Sequence, residues 1–149
     1  MKKFLLILLA CFMVVSMPAM AQSDADQILG TYKVLRNGVN SKVKVTKNAN
    51  GTYRAQVIWA DNLKMPDGSI RTDVKNPDKS KRNTPADKIV LVDNVSYKNK
   101  EWTGGKIYDP TSGKSYKVTI TFKDEKTLKL RGYVGVEAFG ETMYWTKIQ

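Results

Sequence analysis

Asp73, Asp109 and Glu141 are the side chains with which a chain containing no histidine could run acid and base chemistry. Two carboxyl groups whose pKa values are pushed apart can act as general acid and general base in hydrolysis. Nothing in their spacing brings two of them together, and Asp109 stands before Pro110, Ser112 and Gly113, which is the composition of a turn. No catalytic residue is assigned, and the chain is read as a non-enzyme. Asp73, Asn76 and Asp78 offer the oxygen atoms that a hard cation takes. They lack the dense alternation of a calcium loop and lie beside Pro77, so turn and capping duties are expected of them, with no metal and no cofactor. One cysteine and no histidine in 149 residues also exclude the common triads and zinc sites.

The aromatic side chains are the other chemical resource. Trp59, Trp102 and Trp145 with Tyr53, Tyr108, Tyr116, Tyr133 and Tyr144 are a generous supply for one small domain. Most must fill an interior, but some can line a void, and the candidate ligand-binding residues are Trp59, Trp102, Tyr108 and Tyr133 with Asp73 and Asn76.

The elements that position these residues are strands. Tyr116, Val118, Ile120 and Phe122 alternate with Lys117, Thr119 and Thr121, the period of a strand with one dry and one wet face. Val43 and Val45 alternate with Lys42, Lys44 and Thr46, and Tyr53, Ala55, Val57 and Trp59 with Arg54 and Gln56. Strands are expected at 28–35, 41–47, 52–60, 88–97, 101–108, 114–123, 127–134 and 141–148. Turns at Asn48 to Gly51, Asp109 to Gly113 and Lys123 to Lys126 separate them. Eight antiparallel runs joined mostly by tight turns predict an all-β fold, a small up-and-down barrel, with a two-sheet sandwich as the competing architecture. Closure removes the exposed edges of a lysine-bearing meander. Gly104, Gly105, Gly132, Gly135 and Gly140 lie in or beside strand runs, where bulges or sharp coils are expected. The exceptional linker is 61–87, with three prolines, five aspartates and six basic side chains. Loops longer than about 12 to 15 residues are uncommon in compact domains and are often functional lids.

The first 21 residues are of another kind. Lys2 and Lys3 precede an apolar run from Phe4 to Val15, and Ala19-Met20-Ala21 offers small residues at both specificity positions, the layout of a signal peptide cleaved after Ala21. Ser16 and Pro18 break the run short of the roughly 20 apolar residues a transmembrane helix needs. A lipoprotein box at Leu8-Leu9-Ala10-Cys11 competes with this reading, but it would strand Phe12 to Val15 on the mature chain. Export to the periplasm or beyond is expected, leaving a single barrel domain over 22–149 that contains no cysteine and is held by packing alone.

Charge argues about partners. Without its signal peptide the chain carries 23 basic and 14 acidic side chains, and the excess is spread as +4 over 22–60, +1 over 61–87 and +4 over 88–149. A nucleic-acid binder concentrates its basic residues on one face or arm, so nucleic acid is not expected. The diffuse field favours an anionic envelope component as a weaker possibility.

Gly30-Thr31-Tyr32, Val57-Ile58-Trp59, Asp73 with Asn76-Pro77-Asp78, the block from Trp102 to Pro110 followed by Ser112-Gly113-Lys114 and Tyr116, Arg131-Gly-Tyr-Val-Gly135, and Gly140 with Trp145 together resemble the domain-of-unknown-function 2147 (DUF2147) family of small exported bacterial proteins. The block from Trp102 to Tyr116 is its specific part. The resemblance implies a lipocalin-like barrel in the bacterial envelope and no established activity. In lipocalins an early Gly-x-Trp ring is covered by a late basic side chain at the closed end; here Tyr32 takes the ring position and Lys147 the basic one, and the resemblance implies a structural pair. The expected function is binding of a small apolar or amphipathic ligand, such as a lipid, at the open end of a monomeric barrel, with 61–87 as a lid. The alternative is an interaction or structural module that uses its basic exterior.

Overall fold

The computed structural model describes residues 23–149; the expected signal peptide, the expected cleavage after Ala21 and the competing lipoprotein reading at Cys11 lie outside the described residues. Nine strands follow one another: β1 (Gly30–Arg36), β2 (Val39–Lys47), β3 (Tyr53–Ala60), β4 (Val90–Lys98), β5 (Glu101–Thr103), β6 (Lys106–Asp109), β7 (Lys114–Asp124), β8 (Thr127–Tyr133) and β9 (Glu141–Lys147). Each pairs antiparallel with its sequence neighbour, except that β5 and β6 lie end to end, each between β4 and β7. The β9–β1 pairing, with Tyr32 opposite Lys147, closes the ring. The result is a closed up-and-down barrel of eight staves.

The expected strand 101–108 is thus broken in two, and Gly104 and Gly105 are the reason. Gly104 adopts φ +86°, a conformation that other residues rarely hold. A Cβ on Gly105 would stand 2.0 Å from the Asp93 carbonyl oxygen, so only glycine lets the stave press this closely on β4.

A second irregularity re-aims a tryptophan. Between β2 and β3, Lys42 pairs with Trp59 and Val43 with Val57, which leaves Ile58 as an extra residue, a β-bulge. Tyr53, Ala55 and Val57 face inward as the alternation predicts; past the bulge the parity flips, Ala60 is buried and Trp59 turns outward, 42% exposed, beneath the Lys42 ammonium.

One end of the barrel is plugged. The 3-10 turn Asp24–Ile28 lies across it, Ile28 fully buried. Tyr32 donates its hydroxyl to the Ile28 carbonyl at 2.9 Å, Trp102 its indole N–H to the Ala25 carbonyl at 3.2 Å, and Lys147 its ammonium to the Gln27 carbonyl at 2.9 Å. Lys147 Nζ also stands 5.9 Å from the centre of the Tyr32 ring, the expected cation over an aromatic face. Asp26 ties the plug to β2 and β3, accepting from Lys47 at 3.1 Å and from the Tyr53 hydroxyl. Above the plug, Val43, Val45, Val92, Ile120, Leu128 and Leu130 fill the interior at the closed end.

Candidate functional site

At the other end the side chains stop short of one another. A cavity of about 990 Å³ opens between the upper staves and the 61–87 segment. It stands at the upper end of the roughly 300 to 1,000 Å³ usual for small-molecule sites. Its wall is mainly apolar, with Val34, Val57, Leu91, Ile107, Met143 and Tyr116 among the side chains facing it. Trp145 borders both this cavity and the narrow gaps of the packed half, so its ring forms the floor.

The long linker does fold over the mouth. Met65, Ile70, Asp73 and Val74 line the cavity. Bridges between Lys64 and Ile70 and between Thr72 and Pro85 fold the segment back on itself. Asp73, only 3% exposed, fastens it to the barrel: one carboxylate oxygen accepts from the Tyr108 hydroxyl at 2.7 Å, the other from the Asn76 amide at 2.8 Å. Burial first, and the Asp73 carboxylate second, push the Tyr108 phenol well above its ordinary pKa, so it remains a donor. Lys75 adds a bond to the Thr111 carbonyl at 2.9 Å, and the close pass of the two loops there leaves no room for a Cβ on Gly113.

Of the six candidate ligand-binding residues, Asp73, Tyr108 and Tyr133 line the cavity. Asn76 stands behind Asp73 as its hydrogen-bond donor, Trp102 is buried with its N–H on the closing plug, and Trp59 is on the outer surface. Asp78 caps a 3-10 turn through Ser80, and that bond first of all holds its carboxyl below the usual range. No group of three or more potential metal-binding acids, histidines or cysteines occurs among the described residues.

Two of the three carboxylates considered for chemistry do come near one another, through a residue that inspection of motifs passes over. Arg36 at the end of β1 lines the mouth, its Nη2 3.7 Å from Asp109 and 4.0 Å from Glu141. Asp109 is committed to its turn, accepting from the Thr111 amide at 3.0 Å and the Ser112 hydroxyl at 3.1 Å, and Glu141 is largely in solvent. The signal for Arg36 was present in the strand period: Tyr32, Val34 and Arg36 share a parity, so a charge stands at an inward position. The lip around it is apolar, with Phe139 87% and Val134 74% exposed, both bordering the cavity.

A closed antiparallel barrel, plugged at one end by an N-terminal 3-10 turn and hollow at the other, defines a lipocalin-like protein. A solved structure of the same kind, protein HP1028 from Helicobacter pylori, described as belonging to the lipocalin family, is 25% identical, with a TM-score of 0.66 over 81% of this chain and 82% of that one. The chain belongs to the DUF2147 family of uncharacterized proteins conserved in bacteria, whose profile matches residues 30–147. No curated protein matches it.

Proposed function

We propose that this protein is an exported, non-catalytic carrier that takes one small amphipathic ligand into the open half of the barrel, with 61–87 as its lid. The observation that carries the reading is the cavity itself: about 990 Å³, apolar in its walls, floored by Trp145 and roofed by a loop that a buried carboxylate fastens to the rim. A well-packed core of this size has few voids larger than a water molecule, so the volume is a built feature. The exposed Phe139 and Val134 continue the apolar wall to the outside, the surface along which an apolar tail enters. The carrier works outside the cytoplasm, delivered by the segment ending at Ala21. Its spread positive charge supports a location beside anionic envelope components, which would weaken as ionic strength rises.

The test is to purify the protein from its own host and examine it by native mass spectrometry, followed by lipid extraction. A co-purifying small molecule in stoichiometric amount is expected. A protein without adducts that also takes up no member of a lipid panel would overturn the proposal.

A further inference from the structure

Segment by segment the positive excess of the chain is even, but round the barrel it is not. The adjacent staves β1, β2 and β3 contain no acidic residue, while Lys33, Lys42 and Lys44 project from their outer face and are exposed. Lys33 and Lys42 stand directly opposite one another, a like-charge pairing that works against the sheet. The matching pair on the other side of the ring, Lys106 and Lys117, has Asp93 opposite Lys106 on the next strand; Lys33 and Lys42 have Thr146 and Trp59. Among the described residues the cations in ion pairs are Arg36 and Lys47, so these three lysines have no carboxylate within 4.0 Å. Exposed apolar side chains lie among them. Leu35 faces out from β1 two residues beyond Lys33, the Lys42 ammonium stands 5.4 Å from the centre of the exposed Trp59 ring, and β9, next to β1, presents Tyr144. At the open end β8 and β9 run on into the 134–140 loop, where Val134, Val136 and Phe139 are exposed. Arg131 fixes this lip, donating from Nε to the Glu137 carbonyl at 2.9 Å, from Nη2 to the Ala138 carbonyl at 2.9 Å and from Nη1 to the Thr142 hydroxyl at 2.7 Å.

We infer that this face, from Trp59 across Lys42, Lys33 and Leu35 to the 134–140 lip, docks the protein on an anionic lipid bilayer. Lys33, Lys42 and Lys44 meet lipid phosphates, Leu35 and the lip enter the headgroup layer, and Trp59 and Tyr144 take the interfacial depth that such rings favour. This rests on the envelope setting of the carrier reading and not on what the cavity holds. Charge decides between occupants. A second copy of the chain would set Lys33 and Lys42 against their own equivalents, and an acidic polymer would answer the lysines but leave Leu35, Val136 and Phe139 in water. The carboxylates at the mouth edge of the face are engaged: Asp61 accepts from the Asn40 backbone and side-chain amides at 3.1 and 3.2 Å, and Glu141 lies 4.0 Å from Arg36. Glu137 is the one charged residue of the lip, and it is exposed. Val134 and Phe139 also border the cavity, so docking sets its mouth beside the bilayer.

The experiment is co-sedimentation of the purified protein with vesicles of phosphatidylcholine alone and of phosphatidylcholine mixed with phosphatidylglycerol, at low and high ionic strength. Anionic vesicles are expected to bind at least about tenfold more tightly than neutral ones, less so as salt rises, with a blue shift of tryptophan emission. Lys33→Gln with Lys42→Gln, and separately Leu35→Ser with Val136→Ser, should each weaken that binding about fivefold or more. Lys106→Gln with Lys117→Gln, the same charge change on the opposite wall, should leave it within about twofold. All these positions are exposed, and circular dichroism checks that each variant is folded. No preference for anionic vesicles, or equal losses from the two lysine pairs, overturns the docking face. Loss with Lys33→Gln and Lys42→Gln but none with Leu35→Ser and Val136→Ser overturns the bilayer as its occupant. Leu35 and Val136 do not line the cavity, so these outcomes leave the carrier reading standing; that reading falls on adduct-free protein from the host.

Discussion

Tyr53 shows how a single side chain ties the plug to the wall. Its ring is buried, and its hydroxyl donates to Asp26, which also receives Lys47. Burial first, then the bond to the Asp26 carboxylate, raise the phenol from 10.0 to about 12. Because the folded state holds this proton more tightly than the unfolded chain, the stabilisation is complete below pH 10 and drains away as pH rises through about 12. Tyr32 and Tyr108 shift in the same direction, each chiefly through burial. Urea midpoints measured from pH 9 upward should therefore hold level and then fall steeply. Tyr53→Phe should give a shallower fall, not a flat one, since the other two phenols remain; identical slopes for the two proteins would count against the Tyr53–Asp26 bond. At this scale the sequence was legible in some places only. The Tyr32–Lys147 pair was implied by the family resemblance, and the structure has it. Arg36 was missed because a charge at the end of a strand looks like a solvated terminus unless its parity is counted from Tyr32.

The elements show a similar division. Alternation in three runs, with turn residues between the others, located the staves, because a closed barrel has one dry face that a period of two records; Thr119, read on the wet face of β7, is buried instead. It could not foresee where the ladder gains a residue. The bulge at Ile58 turns Trp59 out of the barrel, and nothing in Val57-Ile58-Trp59 distinguishes that outcome from an unbroken strand. The Gly104–Gly105 break was half visible: paired glycines signal a sharp bend, but the split of one stave into β5 and β6 depends on the approach to Asp93. The close approach at Gly105 has a measurable consequence. Gly105→Ala places a methyl group against the β4 backbone and should cost about 1 to 3 kcal/mol, the usual penalty of overpacking. Lys106→Ala, at an exposed position next to it, should stay within about 0.5 kcal/mol of wild type in the same urea titration. Equal effects from the two variants would mean that the stave can yield at Gly105.

For the whole molecule, the division of labour runs along the barrel axis. The half near the plug is filled by Tyr32, Tyr53, Trp102 and the aliphatic side chains between them, and it holds the ring in shape. The half near the 61–87 segment leaves its space open. Surplus aromatics and one oversized linker pointed to a chamber, but not to which aromatic stands where: of the three tryptophans only Trp145 lines it. Trp145 is the floor, Trp102 belongs to the plugged half, and Trp59 is outside. That separation makes tryptophan emission a positional reporter of the chamber. The most direct test of the carrier reading is quenching by a bromine-substituted dodecanoic acid, titrated into wild type, Trp59→Phe and Trp145→Phe, with circular dichroism to verify that each is folded. Saturable one-to-one quenching that persists in Trp59→Phe and disappears in Trp145→Phe is the expected result. No saturable quenching, or quenching that survives Trp145→Phe and is lost in Trp59→Phe, would contradict a ligand site inside the barrel.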